Sequence, residues 1–428
     1  MKKALQVVMN KTQIFWASHK SFYQFLVDIG LFIFAVSGTL RFVPTLPVDA
    51  GVINDRSILV IVLLTVPLVK WGKNKYIILL LVSLATVSLL SWATGAHQYN
   101  LDEAWEQAFR WGSFYLMAIG LVEIYKDQMF RFINIWFIAL IAVLGALSIV
   151  YVSEINWNIR TLFDGMIGNL RMSRVSIGFM NVNNLGGFSA TLIMLSVFNL
   201  INSKSAYKVS AVLAIIFGGI LLINSGARTP FISLVGVILG LIIFFFSANM
   251  RAKLWKVISG LFLLLNVIIT YFLMFGDRQS DFFQIANKLL SSRLFLSNAG
   301  IEWLFNKSWA AYLYGAGLNN VQHISEIVYK GNGFVSMDMS TAYYFVGLGF
   351  VGLLVVLGFW HFALRLLGNT GDMIAVLTGI YMSVFMITEA TLFSVNGLFG
   401  AFWTVFFLIL LRNIDHTDMN FSIPFLKK

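Results

Sequence analysis

Long, unbroken apolar runs separated by short polar stretches dominate the chain. A helix needs about 20 apolar residues to cross the hydrocarbon of a bilayer, within a range near 17–25. Runs of that kind predict twelve spans, at roughly 22–40, 57–71, 76–95, 111–125, 132–152, 184–201, 209–224, 230–247, 257–275, 341–362, 373–389 and 396–411. The second and fourth are short, and the last two form a tight helical hairpin. A membrane β-barrel would instead show segments of about 10 alternating residues. The expected fold is therefore an all-α polytopic membrane protein, with residues 1–428 forming one integral membrane domain.

Composition agrees. Of 428 residues, 59% are hydrophobic and 11% charged, where soluble domains carry roughly 25% charged residues. With no cysteine, disulfide scaffolds, thiolate nucleophiles and Cys-built metal sites are excluded. The net charge of +11 reads as loop lysines and arginines that set topology rather than as a nucleic-acid surface. With the N-terminus inside, inner segments hold 18 Lys and Arg, while the short outer loops hold 4. Both termini are placed in the cytoplasm by that bias. The first run follows Lys2, Lys3, Lys11 and Lys20; it exceeds a signal-peptide core and lacks a cleavage pattern, so it reads as a retained helix.

Two outer connections are long: 153–183 and 276–340. Long loops on a compact scaffold carry function more often than short ones. The second holds many aromatics, and Arg293–Phe305 fits a partly buried or interfacial helix. It reads either as a cap over an outward-opening cavity or as an amphipathic collar without chemistry.

No phosphate-binding loop, metalloprotease or nucleophile-elbow motif occurs, and the five histidines lack metal-ligand spacing. Charges at membrane borders carry the information. Arg228, in INSGARTPF, stands between two spans on the outer side, where topological bias expects no arginine. It is either a snorkelling arginine or an anion ligand, since guanidinium offers planar paired donors to phosphate oxygens. Arg293 lies in the second long loop, nine residues before Glu302; Arg160, Arg171 and Arg174 lie in the first. Several outward arginines over a lipid-wide cavity suggest a lipid-linked phosphate or pyrophosphate. Asp338, just before a span, is either a proton acceptor for a sugar hydroxyl or a helix-terminal acid, with Ser340 and Thr341 as competing N-caps. Asp28 and Glu389 fall inside spans and should face the bundle or a partner.

Four patterns, in order, resemble the superfamily of O-antigen ligases and Wzy-type polysaccharide repeat-unit polymerases. They are Gly178-Phe179 through Asn184 and Gly186 at a helix start; Asn224-Ser225-Gly226-Ala227-Arg228-Thr229 at a helix end; Arg293 through Gly300 and Trp303, then Leu313-Tyr314-Gly315-Ala316-Gly317; and Asp338 through Tyr343, followed by Gly349 and Gly352. The similarity covers roughly Arg174 to Gly352. Two departures stand out: O-antigen ligases carry a histidine where this chain has Asp338, and Met339 replaces a frequent asparagine, which favours a polymerase over a ligase.

The resemblance implies a metal-independent, GT-C-like membrane glycosyltransferase without cofactor. Its substrate would be an undecaprenyl-pyrophosphate-linked oligosaccharide in the outer leaflet. It implies Arg228 and Arg293 on the pyrophosphate, Asp338 as base (with Glu302 or His323 as lesser alternatives), and Arg174, Asn184, Glu302 and Tyr343 around the substrate. It also implies flippase and chain-length-regulator partners besides membrane lipid. A ligase is the near alternative; a transporter of lipid-linked sugars, with deep arginines and broken helices, is the rival class.

Overall fold

The computed structural model describes residues 20–46, 49–71, 74–93, 101–158, 175–202, 206–289, 293–318, 321, 324, 339–389 and 398–414. Among them the chain forms helices and turns and no strand. The first half contributes α1 (Lys20–Leu40), α2 (Ala50–Thr65), α3 (Lys75–Ala93), α4 (Leu101–Tyr125), α5 (Met129–Val150), α6 (Val182–Ile201) and α7 (Lys208–Ser225). Next come α8 (Arg228–Ile242) and α9 (Ala248–Phe275), then three short helices, α10 (Asp281–Leu289), α11 (Arg293–Lys307) and α12 (Trp309–Tyr314). The chain closes with α13 (Ser340–Asn369), α14 (Met373–Thr388) and α15 (Leu398–Ile414).

A helix overlaps each of the twelve apolar runs. Eight helical segments among the described residues are long and apolar enough to cross a membrane, and 77–93, 373–387 and 400–413 are shorter apolar helices. The protein is thus a helical membrane protein. α4 begins at Leu101 rather than near Trp111, because the polar first turns DEAWEQAFR have good helix formers that hydropathy alone passes over. Similarly, α2 starts at Ala50, where Asp49 accepts from Val52 N–H as N-cap.

α15 lies at the centre. Ala401 to Arg412 are buried without interruption, the pattern of a helix enclosed on all sides. Phe402 and Phe406 stack on Phe132 of α5, and Trp136 tilts onto Phe402 with ring centroids 5.1 Å apart. The rim is apolar and open: Leu63, Ile149, Val209 and Phe245 are all exposed, as lipid-facing side chains are. Inside, hydroxyls bond back to their own helix, as Thr39 Oγ1 does to Ala35 O at 2.8 Å and Ser189 Oγ to Leu185 O at 2.7 Å, since no water is there to satisfy them.

One end of the bundle is clasped by ion pairs. Asp28 accepts from Tyr125 Oη at 2.6 Å and Arg131 Nε at 2.7 Å, joining α1, α4 and α5. Beside it, Glu123 takes Lys126 Nζ at 2.6 Å and faces Arg412 of α15, whose side chain is 3% exposed. Asp28 therefore faces the bundle, as an acid inside an apolar span must.

α13 is broken. Gly349 has φ 69° and ψ −172°, which ends one helix and starts the next. A break strands carbonyls that lipid cannot satisfy. Here the loop after α12 takes them: Ala316 N–H donates to Val346 O and Gly317 N–H to Gly347 O, both at 2.9 Å. The backbones touch so closely that a Cβ on Gly315 would lie 2.4 Å from Gly349 N. Ser91 of α3 donates to Gly315 O at 2.7 Å. The Gly315/Gly317 and Gly349 positions noted in the sequence are thus two sides of one backbone crossing.

Candidate functional site

The site forms at the end opposite the clasp. The turn Ser225–Arg228 is its first wall. Gly226, in the left-handed region at φ 60°, ends α7, and extended Ala227 leads into α8. Gly186 of α6 packs directly on this turn; a Cβ there would sit 2.4 Å from Ala227 Cβ. Asn224 ties down both described ends of the first long loop. Its side chain exchanges hydrogen bonds with Asn156 backbone, at 2.8 and 3.1 Å, and its carbonyl accepts from Val175 N–H at 3.1 Å. The turn is therefore tied down, and Arg228 opens α8 from it, half-buried, with a buried Nε that has no hydrogen-bond partner among the described residues. Burying a guanidinium donor unpaired is costly, so the position favours an anion.

The second wall is α11. Arg293, its first residue, donates from Nη2 to Glu389 Oε1 at 2.7 Å, with side chains 13% and 16% exposed. Glu389 follows the last residue of α14 rather than lying within it. Its backbone carbonyl accepts from Ser340 Oγ at 2.6 Å, so the start of α13 is drawn to the same point. Thr341 Oγ1 donates to Asn266 Oδ1 of α9 at 3.1 Å. Neither hydroxyl caps α13, as the sequence suggested; Met339 is the N-cap residue and makes no side-chain bond. Tertiary partners have claimed both hydroxyls.

α8 brings Arg228 to this end. It runs antiparallel along α14: Gly240 faces Leu377 and Ile380, and Gly236 faces Ile380 and Val384. That antiparallel pairing puts the start of α8, with Arg228, at the same end of the bundle as Glu389. Arg293 and the start of α13 meet at Glu389 itself.

Other predicted residues fare differently. Glu302 is not brought to Arg293. It is exposed and paired with Arg278, which also bonds Asn298 Oδ1 at 2.5 Å and covers the Phe295 ring. On an α-helix it also stands about 13 Å further along than Arg293. Tyr343 lies in the first turn of α13, edge-on to Tyr344 at 5.6 Å and close to Tyr115 of α4. Asn184 lies in the first turn of α6, half-buried. Asp338, Arg174, Arg160, Arg171 and His323 lie outside the described residues.

The described helices of the second long loop are built into the bundle. α11 packs on α9 and α13, and α12 on α3 and α13, with Phe283, Leu294, Leu304 and Ala311 buried. Sequence reasoning marked Glu389 as an acid in an apolar span but did not pair it with Arg293, 96 residues away. Among the described residues, no three His, Asp or Glu side chains gather as metal ligands would.

A comparison of the chain with models of known protein families and with curated proteins finds no match.

Proposed function

We propose that this protein is a membrane glycosyltransferase that polymerises lipid-linked oligosaccharide repeat units. In this reading both termini are cytoplasmic, all twelve apolar helices span the plasma membrane, and the site opens extracytoplasmically. What supports the reading is that Arg228 and Arg293 lie at the same end of the bundle, Arg293 held at the end of α14 by Glu389 in a helix packed against the bundle. Two guanidiniums so placed suit a pyrophosphate, whose oxygens accept paired donors.

In the reaction, the acceptor sugar hydroxyl attacks the anomeric carbon of the donor. The bond from that carbon to the pyrophosphate oxygen breaks, and the lipid pyrophosphate departs with the bonding pair. Arg228 meets the charge that develops on it. Arg293, oriented by Glu389, holds the second phosphate. Asp338 accepts the hydroxyl proton. The polymer then rests on the lipid of the acceptor. Transfer to a different acceptor would make the protein an O-antigen-type ligase, with the same chemistry.

The broken α13 favours a second reading, a transporter of lipid-linked sugars, since transporters break helices at binding sites. Two features weigh against it. Two of the carbonyls freed near Gly349, those of Val346 and Gly347, are already taken by Ala316 and Gly317, so the break does not offer these two to a ligand. The opposite end is closed by the Asp28 and Glu123 ion pairs. Cells carrying Arg228→Ala separate the readings. A polymerase defect leaves single lipid-linked units accumulating on the outer leaflet. A transport defect leaves them on the inner leaflet.

A further inference from the structure

One side of α9 turns away from the bundle and carries an unbroken apolar stripe. Leu261, Leu264, Ile268, Tyr271 and Phe275 recur at intervals of three and four residues, so they share a face, and all five are exposed. That face lies opposite Trp255, whose Nε1 donates into the bundle to Leu364 O. The helix is long and apolar enough to cross a membrane, so this is its lipid-facing side. The stripe does not stop where α9 stops. Phe282, on the short helix α10, stacks on Phe272 with ring centroids 5.1 Å apart, and Phe272 meets the Tyr271 ring edge-on at 5.8 Å. The apolar surface therefore passes from the last turn of α9 onto α10, a helix of nine residues that is too short to span.

α10 has three sides, each with its own surroundings. Phe283 is fully buried and packs on Gly276, where a Cβ would lie 2.8 Å from its Cδ2. Near it, Asn287 Oδ1 accepts from Phe295 N–H at 2.9 Å and ties α10 to the start of α11. Phe282 and Ile285, three residues apart on a second side, are 63% and 61% exposed. Asp281, Gln284 and Lys288, spaced by three and four on the third side, are exposed and polar. A helix lying at the boundary of hydrocarbon and water has this division, one open side apolar and the other polar. Lys288, next to the apolar side, can lay its stem along lipid and keep its charge among headgroups.

The geometry points to an interfacial membrane anchor: α10 seats Phe282 and Ile285 in the acyl-chain boundary of the leaflet at this end of the bundle, with Asp281, Gln284 and Lys288 toward headgroups and water. The occupant of the apolar side is lipid rather than a second copy of the chain, because that side continues the lipid-facing stripe of α9 through the Phe272–Phe282 stack. Aromatic side chains gather at this level in membrane proteins, where ring bodies meet the headgroup boundary. The anchor depends neither on the reaction proposed above nor on which side of the membrane the loop occupies.

The test exploits the absence of cysteine. Phe282→Cys, Ile285→Cys and Lys288→Cys each give the full-length protein a single thiol for a bimane label. The labelled proteins are reconstituted at high lipid-to-protein ratio in vesicles of phosphatidylcholine and phosphatidylglycerol. All three side chains are exposed, so folding should be kept, as gel filtration checks, and the two apolar positions report independently of each other. Phosphatidylcholine spin-labelled near the top of its acyl chain should quench the labels at 282 and 285 several-fold more than the label at 288. Aqueous iodide should show the reverse order. Iodide quenching at 282 and 285 equal to that at 288 overturns the proposal in favour of a solvated helix. Labels at 282 and 285 that are shielded from both quenchers overturn it in favour of a contact with a second copy.

Discussion

Arg293 Nη2 and Glu389 Oε1 lie 2.7 Å apart, joining the first residue of a loop helix to the residue just past a membrane helix. The contact locks α11 onto α14, while Ser340 on the Glu389 carbonyl locks α13 to the same point. The pair therefore does two things at once: it anchors the loop, and it fixes the plane of a guanidinium.

Both roles are open to test. Removing either partner takes this ion pair from a mostly buried charge, at a cost of about 2–4 kcal/mol. In thermal unfolding in detergent, Arg293→Ala and Glu389→Ala should each destabilise, and the double variant should lose less than the two combined. Strict additivity would mean that the pair does not couple loop to bundle.

Arg228 should behave in the opposite way. It has no ion pair among the described residues and a buried, unpaired Nε. Arg228→Ala should leave the unfolding midpoint near the wild-type value and abolish high-molecular-weight polymer in cells, consistent with a loss of about 2–4 kcal/mol from the barrier. Arg228→Lys should rescue poorly, because an ammonium lacks the paired donors. Normal chain lengths in Arg228→Ala would remove it from the site.

The crossing of Gly315 and Gly349 leaves no room for a side chain. Both have positive φ, and each Cβ would meet backbone at 2.3–2.5 Å. Gly349→Ala should cost more than about 2 kcal/mol from conformation and contact together, seen as loss of the monodisperse peak in gel filtration. Gly358→Ala, further along the same helix with nothing within 4 Å, should elute as the wild type does. Equal behaviour of the two would refute the crossing.

The apolar helices were legible in the sequence because hydropathy depends on neighbours along the chain, and a helix overlaps each of the twelve apolar runs, eight of the helical segments being long and apolar enough to cross a membrane. Boundaries failed where capping decided them, as at Asp49, or where a helix began in polar residues, as at Leu101. The motif glycines were visible as a pattern; their reason, two backbones in contact 34 positions apart, needed the fold. Ser340 and Thr341 looked like caps because local chemistry permits it, yet Glu389 and Asn266 hold them. Glu302 drew attention as an acid near Arg293 in sequence, whereas Arg278 takes it in space. Long-range pairing of charges leaves no local trace.

The clasp should be sensitive to single changes. Glu123→Gln leaves Arg412 buried without that carboxylate and the half-buried Lys126 without its ion pair, and should cost about 3–5 kcal/mol. Adding Arg412→Met should recover much of that in thermal unfolding. No recovery would show that Arg412 is held by groups other than Glu123.

The most direct measurement is the reaction of the purified protein with a single lipid-linked repeat unit, resolved by gel electrophoresis. A ladder of products with release of lipid pyrophosphate, absent in Arg228→Ala, is the predicted result. A substrate returned unchanged by well-folded wild-type protein would contradict the polymerase reading.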